Sequence, residues 1–152
     1  MCGKIASGKS TLARELCLPR ENVLIAEHDW LTGHYSDQMV SIPDYVRCAS
    51  KLRAIMGPHV VSLLNAGVSV VLDFPANTVE TRRWMRGILD RTTASHVLHL
   101  LDVPDEVCMD RLRARNARGD HPFDVTEAQF RQINVHFAPP SPDEGFVILA
   151  HG

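Results

Sequence analysis

Gly3-Lys4-Ile5-Ala6-Ser7-Gly8-Lys9-Ser10 satisfies every fixed position of the pattern G-x-x-x-x-G-K-[ST] within the first ten residues. Two glycines at this spacing let the backbone turn tightly and aim successive N–H groups inward, forming a nest in which fixed donors replace the water shell of a polyphosphate. Lys9 can then reach the outer phosphate oxygens and the Ser10 hydroxyl can sit on a magnesium ion. Gly3, Ser7, Gly8 and Thr11 complete the expected cradle. "KSTLARELCL" is rich in helix formers, so a helix should start at once and add its N-terminal dipole to the attraction.

Length and composition set the frame. At 152 residues, 45% hydrophobic and 22% charged, the chain suits one globular domain spanning 1–152 with a core of its own. No apolar run approaches a membrane span, and the absence of a leader ahead of the loop leads us to expect a cytoplasmic protein. Cys2, Cys17, Cys48 and Cys108 form no C-x-x-C pair and lie in apolar segments, which predicts reduced, buried thiols. A net charge of −2 gives no global electrostatic case for nucleic acid. Anion binding must therefore be local.

Beyond the loop, apolar runs alternate with helical periodicity. Pro19 and the polar run Arg20-Glu21-Asn22 end the first helix, and Val23–Ala26 reads as a parallel strand with Glu27, His28 and Asp29 at its C-terminal end. Ligands of open α/β sheets bind outside such ends, which makes Asp29 a candidate for chemistry. Residues 31–42 are polar and read as a loop or a weakly formed helical lead-in. From Pro43 to Asn65 the three- and four-residue steps of Tyr45, Ala49, Leu52, Met56, Val60 and Leu63 predict one long helix, bent at Gly57-Pro58.

"VSVVLDF" is a β-branched run ending in Asp73, the pattern in which a strand-end carboxylate supports a metal. "NTVETRRWMRGILDR" predicts the next helix, with Arg82 and Arg83 in its first turns, where they oppose the helix dipole and hint at an anion. "HVLHLLDV" predicts a buried strand in which His96 and His99 point to opposite faces, as structural or edge histidines. A helix from Pro104, with Val107, Cys108 and Leu112 inside, runs into Arg111, Arg113, Arg115 and Arg118, a cationic cover expected at about 111–125. Thr126 and Gln129 fit a capping box and Val125 and Phe130 a hydrophobic staple, so a last helix follows, then a strand at Phe146–Leu149.

This alternation predicts a three-layer α/β fold with a mostly parallel sheet. The chain resembles the small P-loop kinases, nucleoside-kinase-like in fold, and in particular the AAA domain group related to polynucleotide kinase, chloramphenicol phosphotransferase and the zeta toxins. "GKIASGKST", "EHD", "VVLDF" and "RLRARNARG" carry the resemblance. It implies ATP and magnesium as cofactors, with Lys9, Ser10 and Thr11 on the phosphates and Ser10 and Asp73 on the metal. It also implies that Asp29 is the base toward the acceptor hydroxyl, and that Arg115 and Arg118 are lid arginines, Arg115 catalytic and Arg118 on the nucleotide. Arg82 or Arg83 would contact the acceptor, alongside Asp29 and Asp73.

The expected activity is transfer of the ATP γ-phosphoryl group to a hydroxyl of an unidentified small molecule, with no obligate protein partner. A nucleotide-dependent switch lacking an acceptor, and a kinase of nucleic-acid 5′-hydroxyl ends, are the other readings. Asp73 is not followed by the second acidic residue of mechanical ATPases, and no second arginine finger is evident, which argues against a motor. Only Met1 and Cys2 precede Gly3, so most of the first strand is expected to be missing. That leaves two neighbouring edges unpaired, consistent with an internal start or about five to eight absent residues.

Overall fold

β-Branched and leucine-rich runs bury best as parallel strands covered on both faces, and the chain places its apolar runs accordingly. The computed structural model describes residues 1–19, 21–119 and 125–152. Arg20 of the expected break, and 120–124 of the expected cover, lie outside the described residues. The strands are β1 (Cys2–Gly3), β2 (Asn22–Ala26), β3 (Ser69–Asp73), β4 (Leu98–Leu101) and β5 (Ile148–His151). The helices are α1 (Lys9–Leu16), α2 (Glu27–Tyr35), α3 (Ile42–Asn65), α4 (Val79–Leu89), α5 (Asp105–Arg118) and α6 (Glu127–Asn134).

β2 pairs in parallel with β3 from Asn22↔Ser69 to Ala26↔Asp73, and β4 with β5 from Leu98↔Ile148 to Leu101↔His151. β1 pairs with β4 through Cys2↔Leu100 and Gly3↔Leu101. Its other edge meets the chain just beyond β3, where the Ala76 N–H donates to Met1 O at 2.8 Å and the Met1 ammonium to Phe74 O at 3.5 Å. The two sheets thus join through a central stub, in the spatial order β2-β3-β1-β4-β5.

β1 is two residues long. Behind Met1, β3 and β4 flank a cleft of about 290 Å³, lined by Val70, Val71, Leu72, Leu98, His99 and Phe146 among others. The main core fills the remaining space with Cys48, Leu52, Met56 and Val60 of α3, Phe74, and Met85 and Ile88 of α4. A smaller cluster of Cys108, Leu112 and Phe130 packs against Ile5 and Ala6, backing the phosphate loop.

Helix boundaries follow capping chemistry. Ser41 and Asp44 form a capping box at α3, Thr78 caps α4 through the Thr81 N–H, and Thr126 and Gln129 form the expected box at α6. α3 continues through Gly57 and Pro58, a proline that removes one backbone donor. At this turn the Trp84 indole donates to Arg53 O at 3.1 Å, and a Cβ on Gly57 would lie 3.0 Å from that same nitrogen. A side chain there would press on the indole, so glycine suits the close approach of the two helices.

Of the two readings of 31–42, the helical one holds at its start, which belongs to α2 and is followed by a 3-10 turn at Ser36–Gln38, because the buried side chain of Leu31 gives a weakly amphipathic segment one anchor in the core. Two further readings are corrected. Val107 faces solvent while Cys108 and Leu112 carry the inner side of α5. β5 begins two residues after Phe146, whose ring instead packs on the core and edge-on against His96. β4 begins at Leu98, so His96 precedes the strand expected to hold it, and both histidines make structural contacts: His96 Nε2 accepts from the Val147 N–H at 3.3 Å, and His99 Nδ1 lies 2.9 Å from His151 Nε2. Cys2, Cys48 and Cys108 are buried free thiols, whereas Cys17 is only half-buried.

Extending the chain ahead of Met1 by five β-branched residues fills the apolar cleft and pairs both open edges, so differential scanning calorimetry should show Tm rising by about 5 °C or more. A five-residue Gly/Ser extension should leave Tm unchanged. Equal behaviour of the two would mean that the cleft does not accept a strand.

Candidate active site at the strand ends

The loop from Gly3 to Ser10 is curved, and its shape rests on backbone conformations that few side chains permit. Gly8 has φ 105° and Ala6, at φ 60°, takes the left-handed region despite its Cβ. A Cβ on Gly3 would lie 2.6 Å from Ser7 Oγ and 3.0 Å from Leu101 O, so only glycine fits between loop and β4. The Gly3 N–H donates to Asn77 Oδ1 at 2.9 Å, tying the loop to the segment after β3. Asn77 carried no motif in the sequence. Its role depends on a contact 74 residues away in the chain.

α1 starts at Lys9 with Gly8 as N-cap, no capping side chain and no acidic residue in its first turn. Its leading N–H groups are therefore left for an external acceptor. Ser7 is buried, and among the described residues its Oγ has no hydrogen-bond partner. Lys9 Nζ donates to Gly3 O and Lys4 O, both at 2.7 Å. Burial pulls its pKa down, and the Asp73 carboxylate opposes that shift. An uncapped helix end, a buried hydroxyl without a partner and a desolvated ammonium together suit a polyphosphate. Ser10 is exposed and Asp73 is half-buried at the strand end, two oxygen donors of the kind magnesium takes beside phosphates.

The cationic cover reaches the loop through a residue not singled out from the sequence. Arg111 Nη1 donates to Ser7 O at 3.1 Å. Arg115, one turn on and half-buried, lies within electrostatic range of Lys9, and Arg118 is exposed in the last turn of α5. Spacing held the signal: Arg111 and Arg115 flank the buried stripe of Cys108 and Leu112 at i, i+4. Arg113 points elsewhere, to Asp110 at 3.2 Å and Glu127 at 3.0 Å.

Arg82 requires a correction. It is 1% exposed, and all five donors of its guanidinium are engaged. Nε and Nη2 donate to Glu144 at 2.6 and 2.9 Å, Nη1 to Ala76 O and Ala138 O at 2.9 and 2.7 Å, and Nη2 also to Pro139 O at 3.5 Å. No donor is left for an acceptor. Arg82 is a clamp joining α4 to the segment before β5, and only Arg83, which is exposed, keeps the expected freedom.

Register brings β2 and β3 to a common end, with Ala26 opposite Asp73 and Glu27 next in the chain. Asp29 lies exposed in the first turn of α2, whereas Glu27 is only 4% exposed. Glu27 Oε2 accepts from the Tyr45 hydroxyl at 2.7 Å, and Oε1 has no hydrogen-bond partner among the described residues. Burial pushes its pKa up. The Tyr45 hydrogen bond and Arg53 oppose that shift, and Asp73 adds to it. In the sequence Glu27 reads only as a polar residue at a strand end.

Two outcomes follow. Since folding raises the pKa of Glu27, the folded state binds more proton than the unfolded chain above the ordinary glutamate value, and stability falls as pH rises from about 4.5. Glu27→Gln should flatten that slope and raise Tm near neutral pH; an unaltered slope in a pH series of melting curves would refute it. Arg82→Met should cost about 3 kcal/mol in denaturant titration by leaving Glu144 and three carbonyls without their donor, against less than about 0.5 kcal/mol for Arg83→Met. Equal costs would return Arg82 to the acceptor side.

The profile of the family described as AAA domain matches residues 1–140. No curated protein matches the chain by sequence. Among solved structures, a candidate kinase from Chloroflexus aurantiacus superposes with a TM-score of 0.75 at 16% identity, covering 96% of this chain and 79% of that one. A sugar kinase from Janibacter sp. gives 0.63 at 18% identity over 98% and 82% of the two chains. The APS kinase of Mycobacterium tuberculosis, in complex with AMPPNP and APS, gives 0.56 at 20% identity over 98% and 85%. At these identities the structural likeness speaks for the fold. The family match spans nearly the whole chain, which therefore belongs to the AAA domain family and is built on the fold of the small P-loop kinases.

Proposed function

We propose that the protein is an ATP-dependent phosphotransferase that moves the γ-phosphoryl group to a hydroxyl of a small molecule. The observation that carries the reading is the uncapped amide nest from Gly3 to Ser10, with the buried Lys9 ammonium at its mouth and Asp73 acting on that ammonium from the end of β3. That one neighbouring structure was solved with AMPPNP supports a nucleotide as the occupant.

The chain's own groups divide the work. Amides of Gly8, Lys9, Ser10 and Thr11 hold the inner phosphates, and Lys9 trades its two loop carbonyls for the outer phosphate oxygens. Ser10 and Asp73 would hold magnesium, which would supply charge neutralisation on the phosphates. Arg111 and Arg115 close over the loop from α5, with Arg118 at the end of the same helix near the nucleotide. Asp29, exposed at the edge of the strand ends, takes the proton of the acceptor hydroxyl as its oxygen bonds to the γ-phosphorus and the bond to the β-phosphate oxygen breaks, leaving ADP. Catalysis is then mostly positioning and charge stabilisation.

In an ADP-release assay with an accepted substrate, Lys9→Ala should reduce turnover at least about a hundredfold through lost phosphate contacts. Asp29→Asn should bind AMPPNP within about twofold of wild type and lose transfer by about a hundredfold or more. Equal loss of nucleotide binding in both variants would remove Asp29 from the base role. A protein that binds AMPPNP and releases no ADP with any acceptor would be a nucleotide switch.

A further inference from the structure

Glu27 is a buried carboxyl at the strand ends that the phosphate chemistry does not use. Four groups describe its surroundings: Tyr45 and Arg53 from α3, Asp73 from β3 and the start of its own helix α2. Tyr45 fixes Oε2 at 2.7 Å, which orients the carboxyl plane, while Oε1 is buried and unbonded. Leaving such an acceptor unsatisfied opposes folding. Folded proteins rarely keep that cost without a partner to relieve it.

Charge narrows what that partner can be. Glu27, Asp73 and Asp29 put three carboxyl groups at or beside the ends of β2 and β3. Arg82, the arginine that the sequence offered to an anionic acceptor, is buried and spent on Glu144 and three carbonyls. Arg53 lies in the field of Glu27 and Tyr45, and Arg83 is exposed, its charge felt by Glu144. Asp73 faces the Lys9 ammonium, which leaves Glu27 and Asp29 as the carboxyl groups that an anionic acceptor would meet as like charge.

Resting on the kinase reading above, we propose that Glu27 is an acceptor-binding residue. Its unbonded Oε1 docks a hydroxyl or ammonium donor of the phosphoryl acceptor, and the site selects polyhydroxylated molecules that carry no anionic group. Tyr45 is the positioning residue that holds the carboxyl for this contact.

The test uses the full chain, magnesium-ATP and three acceptor panels: uncharged polyols and sugars, aminated polyols, and nucleoside monophosphates with sugar phosphates. At least one compound of the first two panels should stimulate ADP release tenfold or more, and none of the third should. For that acceptor, Glu27→Met should raise KM about tenfold, with KM for ATP and AMPPNP binding within about twofold of wild type. Tyr45→Phe should shift the same KM in the same direction by a smaller factor. Glu27→Gln should recover much of the loss for a hydroxyl donor and little for an ammonium. Preference for the anionic panel, an unchanged acceptor KM in Glu27→Met, or no stimulation in a protein that binds AMPPNP would each overturn the proposal while leaving nucleotide binding intact. Failure of the wild type to bind AMPPNP would overturn the kinase reading and this one together.

Discussion

Gly3 is the point on which the site hangs. Its N–H is held by Asn77, its strand partner is Leu101, and a single Cβ would collide with Ser7 Oγ and the Leu101 carbonyl. The two-residue β1 therefore does two things at once: it joins the β2-β3 pair to the β4-β5 pair and sets the height from which the phosphate loop springs. Everything beyond it follows in sequence. The left-handed turns at Ala6 and Gly8 curl the loop, α1 begins uncapped, and Lys9 folds back over the mouth.

Such a site is costly to keep. A desolvated ammonium at Lys9, a left-handed alanine, a buried hydroxyl at Ser7 and a half-satisfied carboxyl at Glu27 all oppose stability, and all lie at one end of the sheet. Stabilising features sit elsewhere. Arg82 with Glu144 locks α4 to the approach to β5, capping boxes secure α3 and α6, and Trp84 covers the Gly57-Pro58 turn. This separation is what is expected when groups are placed for a ligand and the scaffold compensates for them.

Much of this was legible in the sequence because it is local. The phosphate loop, the strand ending in Asp73 and the Thr126–Gln129 box each depend on spacings of a few residues, and each stands where the spacing puts it. The rest was hidden for one shared reason, that it depends on partners far along the chain. Arg82 reads as a cation at a strand end, and nothing nearby reveals that Glu144, 62 residues on, will consume it. Glu27 reads as a polar residue closing a strand until α3 brings Tyr45 against it, 18 residues later. Arg111 was one of four arginines in a run, and only the placement of α5 over Ser7 separates it from the others. α2 was only half legible, as a loop or a helical lead-in, because its helix depends on one buried leucine and not on an amphipathic stripe.

The central claim is that main-chain amides between Gly3 and Ser10 grip a polyphosphate. Calorimetric titration of AMPPNP with magnesium into wild type and Gly3→Ala tests it most directly, because the added methyl disturbs the loop's shape and removes no charge. One-to-one binding in the wild type, weakened about a hundredfold or more in Gly3→Ala while the fold is kept by circular dichroism, is the result expected. Equal affinity in the two proteins, or no binding in either, would contradict it.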